Sequence, residues 1–109
     1  MRARGGALVT LMGIALWGHA DAGPDDVAVQ LFRFRPPRLE VARGTVVTWS
    51  NQDQIRHTVT AGTPERRAGT FAAELAGRGA AGSVTFAEPG TFPYFCERHP
   101  NMRGEIHVR

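Results

Sequence analysis

The chain has no lysine and only one cysteine among its 109 residues. A single cysteine cannot close an internal disulfide, so the fold is not a cross-linked scaffold. All cationic side-chain charge falls to 13 arginines, set against 10 acidic residues. The arginines are scattered, and a formal charge of +3 spread this way is too weak a footprint for nucleic acid. Long apolar runs are missing too. Residues 7–17 form the main one, well short of the ~20 residues that cross a bilayer. After that run, no stretch longer than a turn keeps a helical period, which excludes a helical bundle.

Arg2 and Arg4 precede the apolar run and Ala20-Asp21-Ala22 follows it, the order of a secretory signal. The expected division is a cleavable signal peptide over residues 1–22 and a single domain over 23–109, exported to the periplasm without stable membrane insertion. No cysteine follows the run to carry a lipid. In an oxidising compartment a lone thiol is buried, reactive or ligated. A bound metal would help so small a core.

The rest of the chain reads as short strands between Gly/Pro turns. Residues 27–34 alternate at period two, with Phe32 and Phe34 suggesting a parity switch or bulge near the end. Pro36 and Pro37 break that strand. Leu39 and Val41 mark a second, and residues 45–50, rich in β-branched side chains around Trp49, a third. Residues 51–56 are polar and predict a loop. Strand pattern resumes at 57–60. Residues 61–69 look loop-like, 70–75 suit a short strand or a helical turn, and 82–87, 91–96 and 103–109 alternate again. About seven to eight strands with no long helix predict an all-β Greek-key sandwich.

The chemistry gathers in residues 96–102. Cys96, His99 and Met102 are spaced by three, so one tight loop can turn a thiolate, an imidazole and a thioether towards one point. Pro100 stiffens that loop by fixing φ. Phe92, Tyr94 and Cys96 share parity, which carries Cys96 off the strand on the core side. Phe95, of opposite parity, is expected at the surface, as is His107. His57, at the border of a distant strand, supplies a second imidazole. Thiolate, two imidazoles and a weak axial thioether are the ligands of an electron-transfer copper site, where a trigonal set suits both oxidation states.

His57 with Cys96-x₂-His99-x₂-Met102 resembles the small blue copper proteins, the cupredoxins, most of all the amicyanin and plastocyanin type, and the short ligand spacing is most similar to amicyanin. Val47-x-Trp49-x-Asn51, Gly90, Tyr94, His99-Pro100 and Met102-Arg103-Gly104 extend the resemblance over nearly all of residues 27–109. It implies a cupredoxin-like sandwich, one type 1 copper ion and one-electron transfer with protein partners such as a cytochrome or a dehydrogenase. Asn51, Thr58 and Pro100 would then support the ligands. Two positions depart from the family pattern. Thr58 stands where an Asn often donates to the thiolate and ties the two ligand loops together, and Arg98 stands where a proline often precedes the second histidine.

Arg56, Arg98 and Arg103 sit beside ligands, and with Pro64 they suggest a positive rim that meets an acidic redox partner. The expected protein is a monomeric electron carrier and not an enzyme. The histidine clusters of copper oxidases are missing, and structural zinc favours more thiolates than one. A copper carrier or storage protein without a redox role uses the same ligand types, although such proteins often carry the Met-rich or His-rich tracts that this chain lacks.

Overall fold

The computed structural model describes residues 25–109, so the expected signal peptide, residues 1–22, lies outside the described residues. Nine strands and no helix make up that region: β1 (Asp26–Gln30), β2 (Arg33–Arg35), β3 (Arg38–Val41), β4 (Thr45–Asn51), β5 (His57–Thr63), β6 (Arg66–Leu75), β7 (Ala81–Phe86), β8 (Gly90–Phe95) and β9 (Arg103–Val108). They form two sheets, ordered β2-β1-β4-β7 and β3-β9-β8-β5-β6. The β1–β4 and β3–β9 pairs are parallel. The expected all-β sandwich is thus present.

Alternation places the core. Val27, Val29, Val47 and Trp49 from the first sheet meet Val59, Leu75, Tyr94 and Ile106 from the second, all essentially inaccessible to solvent. Trp49 and Tyr94 cross edge-on, with ring centroids 5.3 Å apart. Gly104 faces Tyr94 across the β8–β9 ladder, and a Cβ there would lie 2.4 Å from the phenol ring. Its small size is needed for that ring as well as for re-entry of the chain into β9.

Three expectations are corrected. Residues 27–34 are a hairpin and not one strand with a bulge: Gln30 pairs with Arg33, and Leu31 and Phe32 turn the chain with φ of 54° and 59°. This division of one expected strand brings the count to nine. Residues 61–69 are mostly strand. Gly62, at φ 106°, lies at a register irregularity in β5, and only Pro64 and Glu65 separate β5 from β6. β6 is an exposed edge strand, so its polar start carries no alternating signal. Phe95 is buried, because β8 is paired there on both sides, to Thr60 of β5 and Arg103 of β9.

Pro93 lies one residue beyond the last β5–β8 pair, Ala61 with Tyr94, near the limit of that ladder, where a missing N–H costs least.

Candidate metal centre

The site forms at one end of the sandwich, where β4 and β8 finish and β5 begins. Cys96 follows the last residue of β8 and is fully buried, on the side that its shared parity with Tyr94 predicts. Two backbone bonds close the loop after it: the Cys96 N–H donates to the Met102 carbonyl at 3.1 Å, and the Met102 N–H to the His99 carbonyl at 2.8 Å. His99 and Met102 are thereby folded back towards Cys96. His57 opens β5 and is also fully buried.

Ligand atoms of His57, Cys96 and His99 lie within 4.8 Å of one another. Cys96 Sγ is 3.8 Å from His57 Nδ1 and 3.7 Å from His99 Nδ1. Met102 is buried against the same core cluster as Cys96. The His57 ring has a defined sense: Nε2 lies 2.8 Å from Asp53 Oδ2, so the carboxylate accepts the Nε2 proton and leaves the Nδ1 lone pair facing the sulfur. The Thr58 N–H donates to Sγ at 3.4 Å, a dipole suited to a sulfur that bears negative charge. One thiolate and two imidazole lone pairs converging on one point fit a soft or borderline metal such as copper and do not fit calcium or magnesium.

The supporting residues fall around this cluster. Asn51 is buried at the end of β4 and holds the 52–56 loop: its amide donates to the Ile55 and Leu75 carbonyls, and its Oδ1 accepts the Asp53 N–H. Pro100 is exposed at the loop tip. The tie between the two ligand loops is present at Thr58 in another chemical form, because Thr58 Oγ1 accepts the Glu97 N–H at 2.9 Å and contacts Thr60 Oγ1 at 3.0 Å. Of the expected rim, Arg56 pairs with Glu74 and Arg103 with Glu65, while Pro64 lies in the β5–β6 turn and Arg98 is exposed beside His99.

Two residues without an expected role belong to the site. Phe32, at the β1–β2 turn, stands edge-on to both His57 and His99, with centroid separations of 5.2 and 4.9 Å. Asp53 joins that turn to His57. Burial acts to raise the Asp53 pKa, but hydrogen bonds from Phe32, Leu31 and His57 outweigh it and hold the carboxyl below its ordinary value. His99 is pushed below its ordinary value, first by desolvation and then by its electrostatic interaction with His57 and the Arg98 guanidinium.

A two-sheet sandwich with a buried thiol and two imidazoles at one end defines a β-sandwich domain with a candidate soft-metal centre. Residues 24–109 match the family described as copper binding proteins, plastocyanin/azurin family, and the chain belongs to it. Amicyanin-alpha of Methylorubrum extorquens is 29% identical over 90 residues, covering 83% of this chain and 76% of that protein. Amicyanin of Paracoccus denitrificans is 32% identical over 82 residues, covering 75% of this chain and 63% of the relative. A solved Cu(I) form of an amicyanin variant superposes with a TM-score of 0.67 at 32% identity, covering 83% of this chain and 86% of that one.

Proposed function

We propose that this protein is a soluble periplasmic shuttle for single electrons, with one type 1 copper ion that His57 Nδ1, Cys96 Sγ, His99 Nδ1 and Met102 would hold. The observation that carries this reading is the convergence of the His57, Cys96 and His99 ligand atoms within 4.8 Å on a buried, hydrogen-bonded frame. Bound copper would supply a Cu(II)/Cu(I) couple in a geometry that both states accept. The chain's own part is to keep that geometry fixed. Cys96 and Met102 are held by the closed loop, His57 by β5 and Asp53, and Thr58 joins the two ligand segments. A frame tied at this many points favours electron exchange over delivery of the metal to an acceptor, which requires the ligands to let go.

Residues 1–22 act in this reading as the export signal, and residues 23–109 as the mature domain, a monomer that meets a cytochrome-like or dehydrogenase partner. Partner contact is assigned to the face around His99, with Pro64, Arg56, Arg98 and Arg103 at its rim. Glu74 and Glu65 offset two of those arginines, so Arg98 is the strongest candidate for steering.

Adding Cu(II) to the purified domain tests the site. An intense blue thiolate-to-copper absorption with narrow copper hyperfine splitting is expected, and a pale complex overturns the reading. Electron-transfer rates that do not change with ionic strength would remove the charged rim from it.

A further inference from the structure

The β1–β2 turn is built against the local preferences of its residues. Leu31 and Phe32 both lie in the left-handed region, which crowds the Cβ of an ordinary residue against the following carbonyl. A two-residue turn with positive φ at both positions normally takes Asn-Gly or Asp-Gly. Burial does not compensate Leu31, which is 67% exposed.

The compensation comes from Asp53, more than 20 residues away. Its Oδ1 accepts the Leu31 N–H at 2.8 Å and its Oδ2 accepts the Phe32 N–H at 3.0 Å. These are charge-assisted bonds to two consecutive amides, the stronger kind. The same Oδ2 lies 2.8 Å from His57 Nε2. One carboxylate therefore holds the turn in its unusual conformation and orients a metal-binding imidazole. Its own backbone is fixed by Asn51 Oδ1. With the turn held, the Phe32 ring covers the edges of both imidazoles.

We propose that Asp53 is a positioning residue for the metal centre, clamping the Leu31–Phe32 turn onto His57 so that Phe32 caps the two histidines and slows loss of the metal. This rests on the copper reading. Asp53 acts in two ways. Its negative charge on the far nitrogen makes His57 a stronger donor, which favours the more highly charged oxidation state of the metal. Its grip on the turn keeps an apolar ring between the ligands and water.

Three proteins separate these effects: wild type, Asp53→Asn and Phe32→Gly. Asn keeps the size of Asp but loses the charge and one acceptor oxygen. Gly removes the cap and suits the left-handed turn. In Asp53→Asn, copper affinity measured by competition with a chelator is expected to fall by about 10- to 100-fold, the range for lost outer partners of a metal ligand, and copper loss to an excess of chelator is expected to speed up. Its reduction potential is expected to rise. In Phe32→Gly, copper loss is expected to speed up while the potential changes less than in Asp53→Asn. In the metal-free proteins, hydrogen exchange at the Leu31 and Phe32 amides is expected to be slow in wild type and fast in Asp53→Asn.

Wild-type rates of copper loss and an unchanged potential in a fully blue Asp53→Asn protein would overturn the proposal, as would unchanged protection of the two amides. A wild-type protein that binds copper without the intense blue absorption would instead overturn the copper reading. The amide-exchange comparison uses no metal and still decides whether Asp53 holds the turn.

Discussion

Replacing Thr58 with Val tests whether the two ligand segments are coupled as the geometry implies. Valine keeps the shape of threonine and removes only the hydroxyl. Thr58 Oγ1 accepts the Glu97 N–H at 2.9 Å and contacts the Thr60 hydroxyl at 3.0 Å, so the change leaves both without that partner. A buried group stripped of its partner costs about 1–3 kcal/mol. The Glu97 N–H bond is only partly buried, so the low end applies there. Thr60 is 8% exposed and adds about as much as one ordinary hydrogen bond, ~1 kcal/mol. The expected loss is about 2 kcal/mol, a fall in Tm of roughly 10 °C for a domain of this size. Urea unfolding of the metal-free protein measures it, as a lower midpoint with an unchanged slope.

The Thr58 backbone N–H still reaches Cys96 Sγ in that variant, so the blue absorption of the copper form should persist while copper is lost faster. Thr58→Ser restores the hydroxyl and sacrifices a methyl, which limits its cost to about 1 kcal/mol. A loss below about 0.5 kcal/mol in Thr58→Val, the range of an ordinary surface change, would refute the coupling. So would a Ser variant no more stable than the Val variant.

Gly104→Ala should destabilise the fold by about 1–3 kcal/mol, since the new methyl meets the Tyr94 ring, and an unchanged urea midpoint would show that the ring has room to move. Tyr94→Phe should leave stability equal or raise it by up to ~1 kcal/mol. The phenol hydroxyl is buried, with no well-formed hydrogen bond among the described residues and only a weak interaction with the Trp49 indole; burial pushes its pKa up to about 12, so a clear loss of stability would show that the Trp49 contact matters. The pH dependence of the metal-free protein follows from His99, whose folded-state pKa lies below its ordinary 6.5. The unfolded chain then binds more protons in the window below 6.5. Stability from this group is complete above that pH and is lost as pH falls through the lowered value. The urea midpoint of wild type should fall more between pH 7 and 5 than that of His99→Gln, and equal falls would refute the assignment.

Much of the site was legible in the sequence because its signals are local. Parity along one strand put Cys96 on the core side, and spacing by three brought His99 and Met102 into the same loop. Both follow from backbone geometry within seven residues. The strands were legible wherever one face is buried and the other wet, as in β4 and β9. They were not legible in the first part of β6, residues 66–69, whose exposure leaves no alternation, or at Leu31 and Phe32, whose side chains carry none of the usual turn chemistry. There the turn depends on a carboxylate separated by 21 and 22 residues, and nothing in either segment announces the other.

Thr58 marks a subtler limit. A departure from the family's Asn implied a changed tie, and the tie is present through a hydroxyl that reaches a neighbouring amide. A polar residue is read by what it can reach as well as by its type, and reach is fixed only by the fold. The same holds for Asp53. Nothing in its polar loop marks it out, yet three donors from two segments converge on it. The ligand residues make the centre chemically competent, whereas its rigidity comes from residues whose partners lie far away in sequence. On the copper reading, proteins that share this ligand spacing are expected to differ in potential and metal retention through positions such as Phe32, Asp53 and Thr58, and the variants proposed at these positions test that expectation.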